Sequence, residues 1–308
     1  GLGVEIMSSG AFVKTAYAKQ TGETLPKTGW KTLPNISNGL TVATELTNSE
    51  MLSGSRMAKA GMVTSASVQG DIETELMFGA YDELIAAAFW SEWSAGASPN
   101  TLSVGATKHQ FAIAKDFSDI NVNHVFTGCV VSSFGLTIDT SSLIKLKFGM
   151  TGLGYQESKT TSFAKTPTAQ ADTAKASGLS IGEIKVNGTK LDVCVESFSF
   201  ELDNQTEVQK CLGDNIYGGN ILAMLTNITG SMTIAYSQKA HEMISNQMTG
   251  ATLSLELPIK FGNSKYVIKI PKFQVSGEIP SPSGTDLVTV DLSYTVVDES
   301  PVIEKHTA

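Results

Sequence analysis

The chain is poor in cysteine, histidine and aromatic side chains, and each shortage removes a class of function. Cys129, Cys194 and Cys211 are an odd set without a Cys-x-x-Cys spacing. Neither a disulfide framework nor a zinc cluster is therefore expected, and buried or free thiols of a protein made in a reducing cytoplasm are. His109, His124, His241 and His306 lie scattered, with no paired spacing and no HExxH, which argues against a metal centre. No apolar stretch approaches the ~20 residues of a membrane-spanning helix, and Gly1-Leu-Gly-Val-Glu-Ile has neither the basic start nor the apolar core of a secretory signal. Positive charge is also scarce, with a net charge of −8. A basic phosphate-binding face is not expected; an acidic surface would instead let a polyanion slide past without sticking.

Motifs of catalysis are missing too. No GxSxG elbow or phosphate loop occurs, and Gly152-Leu-Gly154 lacks the rest of a dinucleotide fingerprint. Asp71, Glu73 and Glu75 could be imagined as a glycosidase pair, but carboxylates on one face of one strand do not straddle a scissile bond. No catalytic residue and no cofactor is expected.

What the chain does contain is an internal repeat, offset by roughly 150 to 160 residues. In the first copy the alternating run Leu40, Val42, Thr44, Leu46 leads into a loop, Thr47 to Thr64. A strand-like run, Val68 to Leu76, and an amphipathic helix, Tyr81 to Trp90, follow. The weaker second copy has Phe198 to Leu202, a loop from Asp203 to Ala223, Ile228 to Tyr236 and a helix from Gln238 to Met248. The helices align Met243 and Ile244 with Leu84 and Ile85, and both need an apolar stripe to pack on a sheet. Val130 to Ile138 and Leu143 to Met150 form a predicted hairpin around Asp139-Thr-Ser-Ser142. Short alternating strands with one helix per unit predict a mainly β chain of two tandem β-sandwich or β-roll domains, each with one flanking α-helix. The boundaries are an arm over 1–34, a first domain over 35–155, a linker over 156–180, a second domain over 181–298 and a polar tail over 299–308.

Two features stand outside the needs of a core. Side chains alternate along a strand, so Gln69, Asp71, Glu73 and Glu75 form a polar stripe opposite Val68, Ile72 and Leu76. In the second copy Thr229, Ser231 and Thr233 take the stripe's place. The long loops are the other feature, since hairpin connections usually have two to five residues. The first carries Met51, Leu52, Arg56, Met57, Lys59 and Met62, and methionine-rich surfaces adapt to partners. The second carries Lys210, Asp214 and Tyr217.

In order along the chain, these segments resemble the tail tube proteins of long-tailed bacteriophages. The resemblance rests on Gly29-Trp-Lys-Thr-Leu33, Glu45-Leu-Thr-Asn-Ser-Glu50 with Arg56, and Val68-Gln-Gly-Asp-Ile72. It continues through Leu76-Met-Phe-Gly-Ala-Tyr-Asp-Glu-Leu84, Phe111 to Phe117 and Val125-Phe-Thr-Gly-Cys-Val-Val-Ser-Ser133, and spans Gly29 to Val297. It implies a β-sandwich with a flanking helix, assembled as stacked rings around a DNA channel in the virion tail. Six single-copy subunits make such a ring, so the duplicated chain implies a trimer forming a pseudo-hexamer ahead of a hexamer. The long loops would contact the adjacent ring, and the stripe residues would face the lumen. Implied partners are further copies of the chain, a tape measure protein inside the tube, tail terminator and tail tip proteins, and DNA in passage; no membrane insertion is implied. The other reading is a two-domain virion decoration or adhesin module.

Overall fold

The structure, a computed structural model, describes residues 4–308. The first half contains β1 (Val13–Lys19), β2 (Thr41–Thr47), β3 (Met62–Glu75), α1 (Asp82–Ala88), β4 (Asn100–Ser103), β5 (Phe111–Phe117), β6 (Val122–Asp139), β7 (Lys145–Gly152) and β8 (Gly154–Ser158). The second contains β9 (Val195–Asp203), β10 (Glu207–Gln209), β11 (Asn220–Leu222), β12 (Asn227–Ala235), α2 (Gln238–Asn246), β13 (Leu253–Phe261), β14 (Ser264–Ser276), β15 (Thr289–Val296) and β16 (Val302–His306). The protein is mainly β, built of antiparallel sheets with two helices.

One long sheet runs through both halves in the order β2–β3–β7–β6–β9–β12–β15–β14. Two long strands, β6 and β14, serve two sheets each. The N-terminal part of β6 pairs with β5 and β8, and β1 extends that short sheet through β5. The N-terminal part of β14 pairs likewise with β13 and β16, and Lys185–Val186 extends this sheet through β13. Pairing thus recurs strand for strand: β2–β3, β3–β7, β7–β6, β6–β5 and β6–β8 match β9–β12, β12–β15, β15–β14, β14–β13 and β14–β16.

Two glycines fix the register of this correspondence. A Cβ on Gly70 would lie 2.2 Å from the carbonyl oxygen of Gly39, and one on Gly230 would lie 2.2 Å from that of Ser199. Both pairs are offset by the same 160 residues, so Val42 corresponds to Leu202 and Leu40 to Phe200. Only a residue without a side chain allows this approach of two backbones.

The inward faces of the long sheet and both short sheets close on one main core that also takes in the helices, with two smaller clusters around Trp30 and Trp90. Helix α1 is buried on nearly every side, with Leu84, Ile85, Ala86, Ala87 and Ala88 all inside. Phe89 after it packs against Phe134 and Phe200, so the helix sits where the halves meet. Helix α2 buries Ala240, Met243 and Ile244 and leaves its other side open. Burying a Leu or Ile side chain contributes about 1.5–3 kcal/mol, which explains why these short helices form where their intrinsic stability would not suffice.

Several segments differ from the sequence expectation. The residues expected as an arm form β1 from Val13, where Thr15, Ala16, Tyr17 and Ala18 are buried against β5. The residues expected as a polar tail form β16, which covers an edge of β14 and buries Ile303. Strand β1 is paired on both sides and buried on both faces, and β16 lies between β14 and β4 with Ile303 as its one buried side chain, so neither shows the alternation that marks a half-buried strand. Strand β3 begins at Met62, six residues before the expected Val68, because β2 pairs with it as far as Thr47. Both helices end earlier than periodicity suggested, at Ala88 and Asn246.

Candidate functional site

The long sheet gives the molecule a broad polar face. Residues of β3 alternate strictly, with Val68, Ile72 and Thr74 buried and Gln69, Asp71 and Glu73 exposed. Glu75 is half-buried and lies 3.4 Å from the Lys175 ammonium. Register carries this face across the sheet. Glu73 stands opposite Lys147 and Glu75 opposite Lys145 on β7. Beyond β7 come Gly135 and Thr137 on β6, then Glu201 and Ser199 on β9, then Thr229 and Ser231 on β12. Thr295, Ser293 and Asp291 on β15 complete it.

This face holds together through short hydroxyl contacts. Ser199 and Ser231 hydroxyls are 2.9 Å apart, and Thr233 Oγ1 donates to Asp291 Oδ1 at 2.7 Å. A Cβ on Gly149 would lie 2.1 Å from Ser133 Oγ and 3.3 Å from Asp71 Oδ1, so only a residue without a side chain leaves room for both. Sequence reasoning placed Asp71, Glu73, Glu75, Thr229, Ser231 and Thr233 on a polar stripe, and the sheet joins the two stripes into one surface. It missed Lys145 and Lys147 as their direct neighbours, and Glu201, Asp203 and Asp291 as further acids. Alternation marks each strand's polar side, but only pairing shows which strands adjoin.

The loops behave differently from each other. Between β2 and β3 the chain projects, with Met51 77%, Leu52 101% and Met57 78% exposed. Its hydrogen bonds are local, such as Asn48 Nδ2 donating to Lys59 O at 2.7 Å; Arg56, Lys59 and Met62 are exposed with it. The loop between β9 and β12 contains the β10–β11 hairpin and folds back on the first half. Its Ile216 carbonyl accepts from the Ala66 N–H at 2.9 Å, and the Lys210 ammonium donates to Ser65 Oγ. Tyr217 is half-buried at this contact, and Asp214 closes the loop tip by accepting from Cys211 N at 2.7 Å. The first-half loop has no such partner among the described residues.

Ionisable groups inside the protein build no reactive cluster. Asp116 accepts from Ser162 Oγ at 2.5 Å, and burial raises its pKa. His124 Nδ1 lies 2.6 Å from Tyr155 Oη; burial, with Lys115 nearby, lowers its pKa. Tyr81 donates to Pro34 O at 2.8 Å and is pushed by burial up to about 12. Cys129 is buried, its thiol held protonated by desolvation, while Cys194 and Cys211 are exposed and unpaired. Among the described residues no group of three His, Cys, Asp or Glu side chains could hold a metal ion, and no helix is long and apolar enough to cross a membrane.

The described residues thus form a mainly β protein, whose continuous antiparallel sheet carries a broad polar face and a projecting apolar loop. The family of phage tail tube proteins matches residues 10–296, and the chain belongs to this family, as a structural subunit of the virion tail. No curated protein matches it.

Proposed function

We propose that the chain is a ring-forming unit whose two halves stand in for two subunits. Three chains then make a pseudo-sixfold ring, and rings stack into a tube that conducts DNA. The observation supporting this is the junction inside the chain. The end of β6, Ser133–Asp139, pairs with β9, Asp203–Ser197. This contact is head-to-tail between two equivalent units, and a head-to-tail contact propagates into a ring when its rotation closes.

In this reading each half is a tube domain, and the polar face lines the channel. Gln69, Asp71, Glu73 and Glu75 in one half, and Thr229, Ser231 and Thr233 in the other, present few cations to a phosphate backbone, so DNA moves without being held. Met51, Leu52, Arg56, Met57 and Lys59 reach the adjacent ring, because their loop leaves its own domain uncovered there. The tape measure protein occupies the lumen before DNA does, and terminator and tip proteins close the ends.

Electron microscopy of the purified protein tests the reading. Stacked rings with an open channel and threefold averages are expected, whereas monomers persisting at high concentration with initiation components present would overturn it. Deleting Ser53 to Lys59 should leave a folded monomer that forms no tubes; tubes of normal length would remove the loop from stacking.

A further inference from the structure

The chain contains one closed junction between its halves and two open surfaces that correspond to the sides of that junction. Strands β5 and β6 share an irregularity with β13 and β14. Phe111 stands opposite Cys129 and Ile113 opposite Phe126, just as Leu253 stands opposite Phe273 and Leu255 opposite Ile270. In each case two steps along one strand match three along the other. Counting from this shared point, Lys115, His124 and Glu157 lie side by side across β5, β6 and β8. Their counterparts across β13, β14 and β16 are Leu257, Ile268 and Ile303.

In the second half this face is shut. Leu257, Ile268 and Ile303 are buried, and Ile268 and Ile303 close around Leu76 and Ile85 of the first half. At the rim, Tyr266 Oη accepts from Gly79 N at 2.9 Å and donates to Asp82, which also holds the Lys305 ammonium. The short sheet of the second half thus covers the flank of α1 with an apolar surface.

In the first half the same face is open and polar. Lys115, His124 and Glu157 point to the side of buried Ile113 and Phe126, yet Lys115 and His124 are half-buried and Glu157 is exposed. The Lys115 ammonium donates to Leu40 O at 3.0 Å. His124 Nδ1 lies 2.6 Å from Tyr155 Oη, which donates to Glu157 Oε2 at 3.1 Å.

The matching flank of α2 is also uncovered. Tyr81, Leu84 and Ile85 are buried with Asp82 and Glu83 between them, and Ala240, Met243 and Ile244 are buried with His241 and Glu242 between them. His241 therefore takes the place of Asp82, and Tyr236, 160 residues on, that of Leu76. Tyr236 is 36% exposed where Leu76 is 2% exposed, and its hydroxyl lies 3.1 Å from His241 Nδ1.

Resting on the ring reading above, we propose that Lys115, His124 and Glu157 are a brake on joining: they face Tyr236 and His241 of a second copy and make the junction between chains weaker than the apolar junction within a chain. Closing the internal junction removes apolar surface from water, which drives association. Closing its polar counterpart exchanges the hydration of Lys115, Glu157 and an imidazole for hydrogen bonds to Tyr236 and His241, with little net gain. Single chains stay apart, where an open patch of leucine and isoleucine would adhere.

Two measurements test this. For location, Lys159 follows β8 at the place of Lys305, so Lys159→Cys/His241→Cys corresponds to the Lys305–Asp82 contact. In a Cys194→Ser/Cys211→Ser background, a short bismaleimide should link these chains within tubes, and Lys14→Cys/His241→Cys on the outer face should link at least tenfold less; equal linkage, or none, overturns the placement. For the brake, Lys115→Leu/His124→Ile/Glu157→Ile should lower the critical concentration for tube growth at least tenfold. Lys14→Leu/Gln156→Ile, on the opposite side of the same sheet and exposed, should leave it unchanged. An unchanged value in the triple variant, or an equal fall in the control, overturns the proposal and leaves the ring reading standing. If the triple variant precipitates irregularly, the exposed single change Glu157→Ile decides, with at least a threefold fall expected and no fall counting against the brake. Wild-type protein that forms no tubes overturns the ring reading itself.

Discussion

At the scale of single residues, the sheet depends on positions with no side chain. Gly70 cannot accept even a methyl group, since the Gly39 backbone occupies its place. Gly70→Ala should therefore destabilise the protein by about 1–3 kcal/mol or more, the usual range for overpacking, read as a lower midpoint in urea. Gly10, with nothing within 4 Å of its built Cβ, is the control, and Gly10→Ala should leave the midpoint unchanged. A second residue-scale prediction concerns acid. Burial alone would raise Glu304, but hydrogen bonds from His306 and Lys269 outweigh it and hold its pKa below the usual 4.5. A depressed folded pKa means that this stabilisation is complete above about pH 4.5 and is lost as pH falls through the folded value. Glu304→Gln should lower the melting temperature at pH 7 and lose that difference near pH 3; a constant difference would show that the charge is not the cause.

Among elements, the two helices show what the sequence disclosed and what it did not. Both were legible, because a helix on a sheet must repeat its apolar positions at helical spacing, and Leu84, Ile85, Met243 and Ile244 do so. Their unequal burial was not legible, because it depends on which strands the other half brings. Helix α1 is crossed by Phe200 of β9, and its Asp82 accepts from Tyr266 Oη and the Lys305 ammonium of the second half. Helix α2 meets no equivalent partner. Strands β1 and β16 were hidden for a related reason: each becomes a strand by pairing on both sides with segments remote from it in the chain. The loops were visible through their length, whereas the fold of the second loop onto Ser65 and Ala66 depends on tertiary contact alone. The asymmetry gives a measurable contrast. Leu84→Ala should cost about 2–5 kcal/mol, as for other buried leucines, and Lys239→Ala on the exposed side of α2 should stay within about 0.5 kcal/mol of wild type. Both are read from denaturant unfolding of the single chain, and equal effects would contradict the unequal packing of the helices.

For the whole molecule, the pairing order determines what the polar face can do. Sequence alone gave one acidic strand and one neutral strand, which would make channel charge alternate sharply from half to half. The sheet softens that contrast from both sides. Lys145 and Lys147 stand against Glu75 and Glu73 in the first half, while Glu201, Asp203 and Asp291 add acid to the second. On these residues the first half nets one negative charge and the second three, so a channel built from this face would be acidic all round, and its effect on DNA should depend on net charge rather than on any one residue. Single neutralisations such as Glu73→Gln should then change little. Reversing one charge in each half, Asp71→Lys with Glu201→Lys, shifts each chain by four units and, in the ring proposed above, would create phosphate contacts in every ring. Because both side chains are exposed and outside the junction core, tubes should form at normal length. DNA release from particles built with this variant should be slower at low ionic strength and recover as salt rises, since such contacts weaken steeply with salt. Release indistinguishable from wild type at every salt concentration, through tubes of normal length, would show that this face does not meet the DNA.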